Sequence, residues 1–391
     1  MAIGYRNNER GIPSVLDAVG RPGSRAQIAT PALLCDLDLL SDNIRAMGDV
    51  AAGGGLGLRP HAKSHKSAFI ARLQLEHGAV GLSCAKLAEA EVLVDRLIED
   101  GFARQVPVLL TSPIVGPAAA ERAAMLATRC DLAVVVDHPT GVGELAAAAR
   151  GAGVVITVLC DVDVGLGRTG VLGPTEATSI AGLIAGCAGL RFGGVQGYAG
   201  HVQHVSGRGE RLAAARSAAD RLALVIDALE AAGHEVSLRT GGGTGTSMLD
   251  AELGVLNELQ PGSYVFMDRE YREALGGDPE GRFHQSLTIA TTVVSANQTG
   301  FVTVDAGLKA MATDAGVPLV VGRGAGTEYL FFGDEHGLVT TGGQSRFERG
   351  DVIELVPPHC DPTVDRYDLL WLVRGDVVVG TADIDARGCS Q

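Results

Sequence analysis

The chain has 391 residues, 46% hydrophobic and 20% charged, with 54 glycines and a formal net charge of −14. That length calls for more than one domain, or for one large α/β barrel with an appendage. The negative charge disfavours a general nucleic-acid role, and no run of about eighteen apolar residues offers a membrane span. The N-terminal "MAIGYRNNERG" lacks the apolar core of a secretory signal. Seven cysteines without a CxxC pair point to a reducing cytoplasm rather than a disulfide framework.

In chain order, "ATPALLCDLDLL" predicts a strand running into a helix. From about residue 56 to 270, short β-branched runs alternate with alanine-rich stretches of helical period. The strand candidates are "LGLRPHAK", "AVGLSCA", "VPVLLTS", "LAVVVDH", "VVITVLCDVD", "FGGVQGYAG", "VSLRTGG" and "GSYVFMD". Eight βα units predict an α/β fold with a closed (β/α)₈ barrel, and an open doubly wound sheet is the competing arrangement. Beyond residue 284, "SLTIATTVVSA", "FVTVDAGL", "DVIELVPPHCD" and "LLWLVRGDVVVGTADI" predict a mostly antiparallel β-domain, which the first strand should join. The expected boundaries are 40–275 for the barrel, and 1–39 with 276–391 for the β-domain.

Several candidate strands end in polar groups: Lys63, Arg168, Tyr198, His204 and the run "GGGTG" at 241–245. In a barrel such ends converge on one face, where active sites are built. "RPHAKSHKS" crowds His61, Lys63, His65 and Lys66 together, and a solvated basic turn is the plain account of it. A glycine run lets backbone N–H groups approach an anion, although on its own it marks only a turn. In "PPHCDPT", a strand would put His359 and Asp361 on one face and Cys360 on the other.

These stretches, with "DVDVGLGRTGV", "QGYAGHVQH", "RTGGGTGT", "ELQPGSYVFMD", "VDAGLKA" and "DEHGLV", occur in the order found in the D-threonine aldolase and D-serine dehydratase family. The chain resembles that family over roughly residues 28–388. The resemblance implies a pyridoxal 5'-phosphate barrel of the alanine-racemase-like fold plus a β-domain, a homodimer, and a divalent metal near the cofactor.

Residue by residue, it implies that Lys63 is the Schiff-base lysine, with His61, His65 and Lys66 as cationic or desolvating neighbours that lower its pKa. Thr240, Gly242, Gly243, Thr244 and Gly245 match the phosphate cup, and Ser263 or Tyr264 would assist from the next strand end. Arg168 matches the arginine near the pyridine nitrogen, where a permanent cation disfavours a second positive charge. An ion pair with Asp161 or Asp163 is its structural alternative. Tyr198 packs on the lysine or cofactor, or is a core tyrosine. His204 matches the base that takes the β-hydroxyl proton during retro-aldol cleavage, or else only orients water.

His359 and Asp361 match the family's metal pair. An imidazole with a carboxylate favours Mn²⁺ or Mg²⁺, with Zn²⁺ possible. Dehydratases acting on D-serine carry cysteine in place of this aspartate, so the pair favours an aldolase giving glycine and an aldehyde. A D-3-hydroxy amino acid dehydratase, releasing a 2-oxo acid and ammonia, is the alternative. Two departures from the pattern bear on substrate preference: Ala85 stands where relatives have glutamine, and "YAGHVQH" loses a histidine at Ala199 and gains His201. A racemase has no use for a metal pair, and a non-catalytic carrier has no use for the β-domain.

Overall fold

A computed structural model describes residues 18–102, 105–276, 282–322, 326–341 and 347–391. The chain forms two compact units. One takes the described parts of Met1–Ile44, Ser263–Glu273 and Gly277–Arg387, and the other those of Arg45–Gly262, Ala274–Gly276 and Gly388–Gln391. The stretch Ser263–Glu273 goes with the β unit, and the last four residues go with the barrel unit.

The β unit begins with β1 (Ala32–Asp36), and helix α1 (Leu37–Gly53) follows. The barrel unit then holds β2 (Gly57–Leu58), β3 (Leu82–Cys84), β4 (Pro107–Leu110), β5 (Asp131–Val136), β6 (Ile156–Asp161), β7 (Leu190–Gly197), β8 (Leu238–Gly241) and β9 (Glu258–Leu259). All pair in parallel, in the order β2-β9-β8-β7-β6-β5-β4-β3. The sheet curls until its edges meet. Val80 N–H donates to Leu58 O and Ser83 N–H to Pro60 O, each at 2.8 Å, and His61 bridges Ser83.

Between the strands run α2 (Ala68–Glu76), α3 (Leu87–Glu99), α4 (Pro117–Leu126), α5 (Pro139–Ala152), α6 (Pro174–Ala185), α7 (Arg208–Ala231) and α8 (Ser247–Leu253). Helices α4, α5 and α6 each open on proline, whose fixed φ suits the first helical position and whose missing N–H costs nothing there. Strands such as "DLAVVV" are apolar on both faces because helices cover one and the barrel interior the other. Leu109, Val135 and Leu159, with Ala133 and Leu238, form a cluster drawn from strands alone, which puts them on the inner face.

One expected strand is not there. "GSYVFMD" begins as a turn of 3₁₀ helix, Ser263–Val265, and the eighth strand is Glu258–Leu259 in "NELQ". Pro261 and Gly262 stop the strand before the β-branched residues begin. Glu258 is tolerated inside because Arg59 clasps it with two hydrogen bonds, of 2.8 and 2.9 Å.

The β unit is a nine-stranded sheet. It adds β10 (Leu287–Ser295), β11 (Phe301–Val304), β12 (Leu319–Val320), β13 (Tyr329–Phe331), β14 (Gly337–Thr340), β15 (Val352–Val356), β16 (Leu369–Arg374) and β17 (Val377–Asp383). β1 joins it as expected, antiparallel to β10 and parallel to β16, and the other described pairings are antiparallel. Its short helices are α9 (Arg269–Ala274), which runs on into the barrel unit's Ala274, and α10 (Cys360–Val364). No helix among the described residues is long and apolar enough to cross a membrane.

Candidate active site

Two residues beyond the apolar layer of the barrel, side chains return to the same face. Leu109 gives way to Thr111, Leu159 to Asp161 and Leu238 to Thr240, so the interior turns polar at the C-terminal strand ends. These groups are joined. Thr240 Oγ1 donates to Glu258 Oε1 at 2.9 Å and accepts from Gln260 Nε2 at 2.9 Å. Gln260 reaches Gln196 Oε1 at 3.2 Å, and Gln196 Nε2 reaches Asp161 Oδ1 at 2.8 Å and Thr111 O at 3.1 Å. Thr240 is fully buried in this web, and its hydroxyl is held by Glu258 and Gln260. Burial pushes the Asp161 carboxyl up to about 6, against the hydrogen bonds from Gln196 and Thr169 that favour its charged form.

Lys63 lies on a turn of 3₁₀ helix, Ala62–Ser64, just past β2. It is half-buried among buried neighbours. His61 caps that turn: its Nδ1 accepts from the Lys63 N–H at 3.4 Å, which leaves the proton on Nε2, 3.0 Å from Thr111 Oγ1. His61 thus braces the turn. His65 does the same one step on, taking the Ser67 N–H at 3.1 Å. Lys66 is buried in a left-handed backbone conformation, φ 52°, uncommon for a side chain of its kind.

Arg168 lies with its guanidinium 5.5 Å from the centre of the Tyr198 ring. The two aspartates considered as its ion-pair partners take other donors: Asp161 holds Thr169 Oγ1 at 2.7 Å, and Asp163 holds the Gly165 and Gly167 N–H groups. His204 is exposed, in the turn after 3₁₀ helix Gly200–Val202.

The glycine loop follows β8 directly, and α8 starts at Ser247. Gly242 has φ 68°, and a Cβ at Gly245 would collide with the Gln203 backbone, so both positions require glycine. Two N–H groups of the loop turn inward: Gly243 donates to Thr246 Oγ1 at 3.2 Å and Gly245 to Gln203 Oε1 at 3.0 Å. The loop is therefore built on Gln203 and Thr246, which its glycine pattern does not reveal.

In the β unit, the expected strand geometry of "PPHCD" gives way to a helix start. Pro357 and Pro358 end β15, His359 is extended (φ −140°), and α10 begins at Cys360. The helix is stitched down by Asp268 Oδ2, which accepts the Cys360 N–H at 2.9 Å, and by Thr363 Oγ1 donating to His359 O at 2.7 Å. Cys360 is fully buried, and His359 and Asp361 are half-buried. Burial lowers the His359 pKa, but the carboxylates of Asp361, Asp314 and Asp268 outweigh it and the net shift is upward. Asp314 Oδ2 lies 2.7 Å from His359 Nδ1.

Ser263 and Tyr264 also belong to the β unit. Ser263 Oγ donates to Asp361 Oδ1 at 3.2 Å, and Tyr264 is fully buried with its ring edge-on to Phe283, centroids 6.2 Å apart. Sequence reasoning missed Asp268 and Asp314, whose only signal is a lone acid in "FMDRE" and another in "MATDAG".

The residues fit the groups the resemblance implies. An amine on a braced turn, a glycine loop at a strand end and a cation over a tyrosine ring suit an aldehyde cofactor with a phosphate. An imidazole ringed by carboxylates suits a divalent cation. Among the described residues no three His, Cys, Asp or Glu side chains gather to hold a metal ion.

Comparison with known proteins defines the class. Residues 35–270 match the alanine racemase N-terminal domain, and residues 286–373 match a serine dehydratase domain. The chain belongs to this pyridoxal-phosphate-dependent family with the alanine-racemase-like fold.

Within the family its similarity is to aldolases. A D-threonine aldolase from Arthrobacter sp. is 38% identical, covering 98% of each chain. A 3-hydroxy-D-aspartate aldolase from Paracoccus denitrificans (strain Pd 1222) is 36% identical over 95% of this chain and 96% of its own. The crystal structure of D-threonine aldolase from Filomicrobium marinum superposes with a TM-score of 0.88 at 38% identity, covering 94% of this chain and 98% of that one. A D-threo-3-hydroxyaspartate dehydratase from Delftia sp. (strain HT23) is more distant, 27% identical over 90% of this chain and 96% of its own. The chain is a carbon–carbon lyase of the D-threonine aldolase type.

Proposed function

We propose that this protein is a pyridoxal-phosphate- and divalent-metal-dependent aldolase that cleaves D-3-hydroxy amino acids, D-threonine among them, to glycine and an aldehyde. The observation that carries the reading is Lys63 on its braced turn at the polar end of the barrel, in a chain similar to aldolases along nearly its whole length. Bound pyridoxal phosphate supplies an aldehyde to capture the substrate amine and a ring to take the electron pair of the breaking Cα–Cβ bond, while the metal supplies Lewis acidity at the β-hydroxyl.

The protein's part is positioning and proton traffic. Lys63 must be unprotonated to react with an aldehyde. Arg168 would supply a permanent cation to the bound ring and so disfavour a proton on its nitrogen. His204, exposed and able to exchange protons with water, takes the β-hydroxyl proton as the carbon–carbon bond opens. The loop 242–245 receives the phosphate. His359 and Asp361 hold the metal, Mn²⁺ or Mg²⁺ by the hardness of a carboxylate-rich set, with water in the remaining positions. A homodimer in the cytoplasm completes the reading, and the seven free thiols suit a reducing compartment.

The dehydratase reading differs in which bond breaks. Product analysis with D-threonine and D-serine, with and without chelator, separates the two. Glycine with acetaldehyde, lost on chelation, is expected, and ammonia with a 2-oxo acid would overturn the aldolase reading.

A further inference from the structure

Gln203 is 1% exposed and spends both ends of its amide on backbone and side chains of two loops. Its Oε1 accepts the Gly245 N–H at 3.0 Å, and its Nε2 donates to Thr246 Oγ1 at 3.0 Å and to Ala199 O at 3.2 Å. Thr246 Oγ1 also accepts the Gly243 N–H at 3.2 Å and donates to Asp250 Oδ2 at 2.6 Å. The roles are forced: a main-chain N–H can only meet Oε1 and a carbonyl can only meet Nε2, so the amide has one orientation.

We infer that Gln203, through Thr246, is a positioning residue for the cofactor phosphate: it holds the glycine loop in one conformation and ties that loop to the segment ending in His204. This rests on the reading of Lys63 and the loop given above. Three glycines in a row have the largest conformational freedom of any tripeptide, and an anion that had to order them would lose affinity. Here the ordering is done in advance by hydrogen bonds on alternate residues of the loop, at Gly243 and Gly245. Asp250 closes the far side. A Cβ at Gly242 would lie 2.5 Å from Asp250 Oδ2, so the carboxyl and the loop touch.

The test compares two aldehydes that share the imine with Lys63 and differ in the phosphate. Apoprotein is titrated with pyridoxal phosphate and with pyridoxal, following imine absorbance. Gln203→Leu should weaken pyridoxal phosphate about tenfold or more, the cost of stranding buried partners, and leave pyridoxal within about twofold. Thr246→Val should do the same and Thr246→Ser should restore wild-type binding, since it returns the hydroxyl. Equal losses for both aldehydes, or none, in the two disruptive variants would overturn the inference. Wild-type protein that forms no imine with either aldehyde would instead sink the functional reading beneath it.

Discussion

Asp250 lies under the glycine loop and accepts a hydrogen bond from Thr246 Oγ1, and burial pushes its carboxyl from the ordinary range up to about 7. A folded-state pKa above the unfolded one means the native protein holds the proton more tightly. Its stabilising contribution is therefore complete below about pH 4 and is lost as pH rises through about 7. In calorimetric scans the melting temperature of wild type relative to Asp250→Asn should fall between about pH 4 and about pH 7 and level off above that. A difference that stays flat or rises would show that the carboxyl is charged throughout.

Single residues are easier to pick out of the sequence than the partners that hold them. Lys63, Arg168 and Tyr198 stand at strand ends, and the structure sets the last two together. Partners were not legible, because "HVQH" and "TGTSMLD" are forty residues apart and nothing local to either says that Gln203 meets Gly245 and Thr246.

At the scale of elements, the expected and observed strands part company where charge and apolarity trade places. "NELQ" reads as polar, yet Glu258 is in β9 because Arg59, with 11% of its side chain exposed, neutralises it inside. "GSYVFMD" reads as β-branched and aromatic, yet it is a turn because Pro261 and Gly262 precede it. Removing the carboxylate leaves a buried cation alone, so Glu258→Ala should cost about 3–5 kcal/mol in urea unfolding. The double change Arg59→Met with Glu258→Leu should recover most of it. A loss under about 1 kcal/mol for the single variant would mean that water reaches Arg59.

The same trade explains "PPHCD". Its two prolines end β15, and the Asp268 carboxylate then starts α10. His359 and Asp361 consequently flank a helix start, a geometry that strand alternation does not foresee. His359→Ala should lower Mn²⁺ affinity at least about tenfold by paramagnetic titration. Unchanged Mn²⁺ affinity would remove His359 from the metal set.

For the whole molecule, the division into a parallel barrel and a mostly antiparallel β unit was readable, because hydrophobic period changes from alternating strand and helix to strand alone near residue 284. The exact cuts were not, since Ser263–Glu273 precedes that change in the chain and still belongs to the β unit. Both units carry residues of the proposed chemistry: Lys63, Arg168, Tyr198 and His204 in one, His359 and Asp361 in the other. Chelation should therefore stop cleavage of D-threonine while leaving the Lys63 imine absorbance in place, which a rapid-scanning spectrophotometer can follow together with product formation. Loss of both signals together would tie the metal to cofactor retention instead.

The most direct measurement is reduction of the purified holoprotein with borohydride, followed by peptide mass mapping. A pyridoxyl-phosphate adduct on the ε-nitrogen of Lys63 is the expected result. An adduct on another lysine, such as Lys66, or none at all in protein that still cleaves D-threonine, would contradict the account.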